Sequence, residues 1–281
     1  MSARPTTDRA LGVWGVLVLA FLFTPIVVIV AYSFNSGRLL ASWEGFGFDA
    51  YSAALSNEEI LSAVSVSVRA AAGAAVVAMV LGTLCGYALA RRTGRTGRLV
   101  TALLVLVLVT PEIVSGVALL PWFVSLGVDQ GLAIFNSGWV RLVVAHSLFA
   151  TAVVTFLVRA RMQGMDSSLE EAAADLYAPP LRRFRQITLP LLLPSVLAGA
   201  LMAFTLSLDN TIISAFVQVS GSTPWPVYVF GAVRAGLRPE LAAMSAVMLL
   251  MTLVALTAVA LVLRRGGASK KDAVKTLSGV G

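Results

Sequence analysis

Charged residues are scarce in this chain of 281 residues, of which they make up 12%, whereas hydrophobic residues make up 58%. A mean hydropathy of +0.88 exceeds what the core of a water-soluble domain requires, so the excess apolar surface must face lipid. A hydrocarbon layer about 30 Å thick needs roughly 20 apolar residues per helix, and several such runs occur here. Composition therefore excludes an ordinary soluble domain and indicates an integral membrane protein.

Cysteine and histidine each occur once, as Cys85 and His146. Because Cys85 lies inside an apolar run, the chain offers neither a disulfide framework nor a C-x-x-C metal or redox site. The sequence also has no G-x-x-x-x-G-K-[ST] phosphate loop, no H-E-x-x-H motif and no G-x-S-x-G motif. We therefore expect no enzyme activity, no metal site and no cofactor on this chain. For His146 we expect a structural role, with the imidazole bonded to a neighbouring backbone group.

The apolar runs predict an all-α, polytopic membrane protein with about six spans. These runs cover residues 11–33, 62–90, 99–126, 139–159, 190–217 and 240–263. The first run follows Arg4 and Arg9 and resembles a signal peptide, but its length and the lack of a small-x-small cleavage site favour a retained span. Six spans place both termini on the same side of the membrane.

Basic residues identify that side as the cytoplasm, because Lys and Arg concentrate in cytoplasmic loops. The clusters lie beside the apolar runs rather than along one polar face, which argues against nucleic-acid binding. They comprise Arg91, Arg92, Arg95, Arg98, the segment 159–185, Arg264, Arg265, Lys270, Lys271 and Lys275. The predicted organisation is a cytoplasmic segment 1–10, a transmembrane domain 11–263 with a cytoplasmic loop 160–190, and a cytoplasmic tail 264–281.

The loop from Met162 to Pro190 is the longest polar insertion on the predicted cytoplasmic side. Ser167 and Glu170 have the S-x-x-E spacing of a capping box. Four small or apolar residues then recur at helical spacing, which predicts a short amphipathic helix; they are Leu169, Ala172, Ala173 and Leu176. Pro179 and Pro180 should end this helix, and a second helical segment is predicted to begin near Leu181.

A short helix with a stripe of small residues and flanking carboxylates suits insertion into a groove on a cytoplasmic partner. Alanine permits close approach, and Glu171 offers a charge-assisted bond to an arginine. The alternative is an interfacial helix lying on the lipid surface. The acidic residues between Asp166 and Asp175 suit an anionic leaflet poorly, so we favour the partner.

The pattern in this loop resembles the E-A-A loop of the permease subunits of ABC importers. The matching residues are Glu171-Ala172-Ala173, Asp175-Leu176, Ala178, Phe184 and Ile187-Thr188-Leu189-Pro190. The resemblance implies the transmembrane domain of a type I ABC importer, with a coupling helix that docks on an ATPase subunit. It assigns that docking role to Glu171, Ala172, Ala173, Asp175, Leu176 and Ala178. One position departs from the family, because Tyr177 stands where glycine is usual. Glycine permits a turn with positive φ, so we expect Tyr177 either to take a different turn or to reshape the dock slightly.

Other stretches resemble the second permease of spermidine/putrescine importers. They are Thr110-Pro111-Glu112-Ile113-Val114, His146, the run from Ala203 to Asn210, and Leu237-Arg238-Pro239-Glu240. The resemblance implies a bacterial inner-membrane subunit paired with a homologous permease, two ATPase subunits that hold ATP and Mg, and an extracytoplasmic solute-binding protein. Related permeases share parts of these stretches, so a phosphonate, an opine-like amine, a sugar or ferric iron stays open as the solute.

Glu112 and Asp209 are acidic residues inside apolar runs, where a charge at the bilayer centre costs at least about 2.5 kcal/mol. At 1.5 Å per residue, Glu112 lies roughly 20 Å from the cytoplasmic start of its span and Asp209 roughly 28 Å from Pro190. With Asn210, they are predicted to line a path for a cationic solute. Alternatively, each carboxylate braces a broken helix or pairs with Arg69. A secondary transporter or channel without an ATPase is the competing function.

Overall fold

The computed structural model describes residues 5–37, 39–40, 42–91 and 94–265. Within these ranges the chain is helical and forms no strand, so the all-α prediction is confirmed. The helices are α1 (Pro5–Tyr32), α2 (Asp49–Ser56), α3 (Glu58–Arg91), α4 (Arg95–Val109), α5 (Glu112–Val124), α6 (Gly138–Gln163), α7 (Ser168–Asp175), α8 (Pro180–Arg183), α9 (Leu189–Leu208), α10 (Ile212–Val217), α11 (Trp225–Ala235) and α12 (Pro239–Arg265). Shorter turns are π-helical at Ser125–Asp129 and Phe184–Thr188 and 3₁₀ at Ala133–Asn136.

The described residues contain six helical segments long and apolar enough to cross a membrane, which confirms the predicted number. They are Leu11–Tyr32, Glu58–Arg91, Glu112–Asp129, Gly138–Gln163, Pro180–Leu208 and Pro239–Leu261. The predicted N-terminal segment 1–10 overlaps α1. Residues 1–4, Arg92 and most of the predicted tail, 266–281, lie outside the described residues.

Two predicted spans have wrong boundaries. The run 99–126 is two helices, α4 and α5, because Thr110 takes an extended conformation before Pro111, as residues before proline prefer to do. The run 190–217 begins and ends too late. The helical segment starts at Pro180 and continues through the π-helical turn Phe184–Thr188 and α9 to Leu208.

The chain divides into two compact units, one of residues 1–61 and 229–251 and one of residues 62–228 and 252–281. In the second unit α6 packs along α9, and α5 packs on α10. The first of these contacts buries Ala150, Val154, Val158, Leu192, Val196 and Ala203. The second buries Phe123, Ile213 and Val217, with Leu142 of α6 in the same cluster. The residues predicted for coupling and for the solute path all belong to this second unit.

Glycine allows α3 to approach α6 closely. A Cβ added at Gly86 would lie 2.7 Å from the carbonyl oxygen of Thr155, and one added at Gly82 would lie 2.7 Å from Cβ of Val154. Real Cβ atoms do not approach other heavy atoms so closely, so only glycine fits at these two positions. The Gly82-x-x-x-Gly86 pair is therefore a helix-packing motif of the small-x-x-x-small kind.

Candidate functional site

Helix α7 begins without the predicted capping box, so that prediction is wrong. Ser167 is itself helical and its side chain makes no capping bond. The carboxylate of Asp166 accepts a hydrogen bond from the backbone N–H of Ser168 at 2.9 Å instead. This bond lowers the pKa of Asp166, because it stabilises the charged carboxylate.

Tyr177 ends helix α7 in a left-handed conformation, with φ of 56°. The N–H of Ala178 donates to the carbonyl of Ala173 at 3.0 Å, and the N–H of Tyr177 donates to the carbonyl of Ala174 at 2.8 Å. These two bonds are the pattern of a Schellman C-cap, in which the left-handed position is usually glycine. The turn is therefore the one that glycine would form, with a tyrosine holding it.

The outer surface of this loop carries large apolar side chains beside acidic ones. Leu176 is 82% exposed, Tyr177 95% and Leu181 77%. Most of the residues predicted for coupling are also exposed, namely Glu171, Ala172, Asp175 and Leu176, while Ala173 and Ala178 are half-buried. Residues 166–178 are therefore not buried among the spans, and α7 presents a surface to whatever lies beside it.

Glu170 turns in the opposite direction, toward the spans. Its carboxylate forms an ion pair with Arg91 at the end of α3 and accepts a hydrogen bond from the hydroxyl of Thr188 before α9. The side chain of Glu170 is 17% exposed and that of Arg91 is 42% exposed. One carboxylate thus joins α7 to two membrane spans.

The interruption between α4 and α5 contains a small cavity. Pro111 has no N–H, so the carbonyl of Val107 loses its usual helical donor, and Glu112 becomes the first residue of α5. The cavity has a volume of about 170 Å³. Its lining is Leu106, Val107, Thr110, Glu112, Ser115, Leu119, Ala145, Leu148, Phe149 and Ile213.

A second interruption, at residues 209–211, separates α9 from α10. Asp209 is exposed there, and among the described residues its carboxylate has neither an ion pair nor a hydrogen-bond donor. It sits at the C-cap of α9, where the helix dipole is negative and disfavours a carboxylate. Glu112 has the favourable position, at a helix N-terminus. A bracing role therefore suits Glu112 better than Asp209.

Asn210 has a local structural role as well. Its side-chain oxygen accepts a hydrogen bond from the backbone N–H of Ser214 at 3.3 Å, which joins the interruption to α10. Neither Asp209 nor Asn210 is among the described residues that line the cavity at Glu112. The structure therefore keeps Asp209 and Asn210 together but assigns the cavity to Glu112 alone.

His146 connects the two sides of the second interruption. Its Nδ1 is hydrogen-bonded to the Ser207 hydroxyl at 2.6 Å, and its Nε2 to the Ser214 hydroxyl at 2.9 Å. The side chain is 5% exposed. The bond to a backbone group expected for His146 is therefore wrong, because its partners are side-chain hydroxyls of α9 and α10.

A family model matches two thirds of the chain, and the matched residues include the exposed helix α7. Residues 78–266 match the family described as the binding-protein-dependent transport system inner membrane component. The chain belongs to this family. It is therefore a membrane-embedded transport component, and the predicted resemblance to importer permeases is confirmed.

Curated relatives of the family extend the match to most of the chain. The chain is 38% identical to the putrescine transport system permease protein PotI of Escherichia coli strain K12, with 84% of this chain and 85% of the relative covered. It is 36% identical to the spermidine/putrescine transport system permease protein PotC of Haemophilus influenzae, with 84% and 90% covered. A crystal structure of a bacterial alginate ABC transporter, in complex with an alginate pentasaccharide-bound periplasmic protein, superposes with a TM-score of 0.71 at 14% identity, covering 92% and 94%.

The sequence did not predict the ion pair by which Glu170 of this loop contacts Arg91 of α3. Arg91 was identified only as a charge that sets topology, and Glu170 only as part of a capping box. Seventy-nine positions separate the two residues, and no local pattern connects positions so far apart. The sequence shows only that one residue is basic and the other acidic, which does not reveal their pairing.

We expect Tyr177→Gly to stabilise the turn after α7. The left-handed conformation costs an L-residue roughly 1–2 kcal/mol more than glycine, and the tyrosine ring is 95% exposed, so its removal loses little packing. Limited proteolysis of the detergent-solubilised chain should cut this loop more slowly in the variant. Tyr177→Ala, which retains the strain, is the matched control. Equal cleavage rates for the glycine and alanine variants would show that φ is not limiting.

Proposed function

We propose that this family member is one of two homologous permease subunits of an ATP-driven polyamine importer in a bacterial inner membrane. The observation that carries the proposal is helix α7, which lies between two long spans and exposes Glu171, Asp175 and Leu176. A surface of this kind provides a dock for an ATPase subunit, which would hold ATP and Mg. An extracytoplasmic solute-binding protein would deliver the solute.

The positive-inside rule supports a cytoplasmic position for α7 and for both termini. Arg95 and Arg98 begin α4, and Arg182, Arg183 and Arg185 follow α7. Arginines collect on the cytoplasmic side of short loops. An ATPase subunit that uses cytoplasmic ATP would therefore lie on the same side of the membrane as α7.

Residue chemistry around Glu112 supports a slender cationic solute. The cavity of about 170 Å³ is smaller than the roughly 300–1,000 Å³ typical of pockets for drug-sized ligands. Its walls are mostly apolar, and the polar side chains in the lining are Thr110, Glu112 and Ser115. Methylene segments suit such walls, and an ammonium group suits a carboxylate in a medium of low dielectric constant.

The same charges argue against other solutes. A phosphonate would be repelled by both Glu112 and Asp209. A sugar requires several directional hydrogen bonds, and the cavity offers few polar groups. The curated relatives are named for putrescine and spermidine, which supports a linear polyamine over an opine-like amine or ferric iron.

In the proposed cycle this chain forms the solute path and passes motion from the ATPase subunits to the spans. It breaks and forms no covalent bond. Binding of ATP closes the two ATPase subunits, and the motion reaches the spans through α7. The two permeases then change the side to which the path is open. A cation near Asp209 would be held weakly at an exposed carboxylate, which permits its release.

Asp209→Asn tests the solute class. In proteoliposomes that contain the complete transporter, we expect uptake of labelled putrescine to fall roughly tenfold, the equivalent of about 1.4 kcal/mol of lost attraction. Asp129→Asn is the matched control, because Asp129 is an exposed carboxylate in a turn after α5. Unchanged putrescine uptake in Asp209→Asn would contradict a cation path at this residue.

A further inference from the structure

Glu170 occupies a position in α7 that the docking surface does not use. Its carboxylate contacts Arg91 and Thr188, which belong to different spans. Arg91 is the last residue of α3. Thr188, which is fully buried, ends the π-helical turn that leads directly into α9.

A second layer of contacts reinforces the same junction. The guanidinium group of Arg91 lies 4.8 Å from the ring centroid of Tyr87, one turn earlier in α3. That ring meets Phe184 edge to face, with centroids 5.0 Å apart. Phe184 begins the π-helical turn that ends at Thr188. The aromatic pair therefore holds the end of α3 against the start of α9, beside the carboxylate that joins both to α7.

Within the described part of the chain, the main packing partners of helix α7 lie on one side of the loop. It packs against α8 and against the turn Phe184–Thr188, which both lie on the α9 side of the loop. The link to α3 is formed by the Glu170–Arg91 pair. A force applied to the exposed surface of α7 can therefore reach α6 and α9 through the backbone, and this carboxylate gives α7 a direct side-chain connection to α3.

Helix α3 is long enough to cross the membrane and extend beyond it, so movement at its Arg91 end involves a whole span. Thirty-four residues at 1.5 Å per residue give about 51 Å, which exceeds a hydrocarbon layer of about 30 Å. Gly82 and Gly86 hold the same end of α3 tightly against α6. Movement of Arg91 would accordingly move a rigid pair of spans rather than a loose helix end.

We propose that Glu170 is a positioning residue that transmits motion of α7 to α3 and α9 together, through Arg91 and Thr188. The proposal rests on the proposed function, since it requires a motor that moves α7. It assigns to Glu170 a role distinct from docking: the neighbouring Glu171 faces outward to the partner, and Glu170 faces inward to the spans. Loss of Glu170 should leave the motor attached and running, with less transport.

The test compares transport with ATP hydrolysis in the complete transporter reconstituted in proteoliposomes. We expect Glu170→Gln and Arg91→Glu to keep the ATPase subunits bound and hydrolysing ATP, while putrescine uptake per ATP falls at least tenfold. The charge exchange Arg91→Glu with Glu170→Arg should recover at least a third of the normal ratio. Arg95→Glu is the control, because Arg95 is exposed and, among the described residues, forms no ion pair.

The outcomes separate this proposal from the one on which it rests. A normal ratio of uptake to hydrolysis in Arg91→Glu would overturn the positioning role and leave the proposed function intact. Failure of the charge exchange to recover more than Arg91→Glu alone would also overturn it, because the loss would then not depend on the pairing of residues 91 and 170. Absence of ATP-dependent putrescine uptake in the unmodified transporter would overturn both proposals.

Discussion

Glu171→Lys should abolish ATP-driven uptake while leaving the chain inserted in the membrane. Glu171 is exposed on α7 and, unlike Glu170, it forms no ion pair within the described residues. A lysine there places a cation where the proposed partner would offer an arginine. Like charges brought together at an interface cost several kcal/mol, enough to reduce partner affinity by more than about a hundredfold.

Two measurements are needed for this variant. Uptake of labelled putrescine by proteoliposomes reports transport, and size-exclusion chromatography in detergent reports whether the ATPase subunits stay attached. Glu59→Lys is the matched control, because it reverses an exposed carboxylate in the first turn of α3, far along the chain from α7. Normal uptake by Glu171→Lys would refute the docking role of α7.

Gly86→Leu should prevent the chain from folding to its normal stability. Even the Cβ of the new side chain would lie 2.7 Å from the Thr155 carbonyl oxygen and 2.9 Å from Cβ of Val158. Backbone cannot move aside as a flexible side chain can, so α3 and α6 must separate. Overpacking of this kind costs about 1–3 kcal/mol or more, and interhelical separation places Gly86→Leu at the upper end.

The expected result is a fall of about 10 °C in the unfolding midpoint in detergent, from the relation between stability and melting temperature in chains of this size. Gly15→Leu provides the comparison, because an added Cβ at Gly15 meets nothing within 4 Å. Thermal unfolding followed by circular dichroism measures both variants. A melting temperature for Gly86→Leu equal to that of Gly15→Leu would show that α3 and α6 are not held at close approach.

Local chemistry made part of the fold predictable. Apolar length indicated six spans, and the spacing of Leu169, Ala172, Ala173 and Leu176 indicated a helix that the structure has at Ser168–Asp175. These features depend on residues a few positions apart, so their consequences can be worked out from sequence.

Features that depend on distant contacts were harder to predict. The run 99–126 looked continuous because its composition is apolar throughout, although Pro111 removes a backbone donor in its middle. The partners of His146 lie 61 and 68 positions away, and those of Glu170 lie 79 and 18 positions away. Ser167 and Glu170 fit a local motif, but the Glu170 carboxylate pairs with Arg91 instead of forming the capping bond.

For the solute path, sequence identified candidate residues but not how they are arranged. Glu112 and Asp209 stand out because a carboxylate in an apolar run is costly. That cost does not reveal that one begins a helix and the other ends one, which gives them opposite relations to the helix dipole. Because the helix dipole does not stabilise a carboxylate at Asp209, loss of its charge is the more informative mutational test of the solute path.

Helix α1 differs from the other spans in how its position is determined. No residue in its most apolar window is buried, and Leu17, Phe21 and Val27 are each more than half exposed. The position of α1 in the membrane is then determined by the transfer of individual side chains into hydrocarbon, rather than by close packing against neighbouring helices. Its apolar residues are accordingly interchangeable: shuffling Leu, Val and Ile within α1 preserves the summed transfer free energy, whereas the same shuffle in α6 would disrupt specific neighbours.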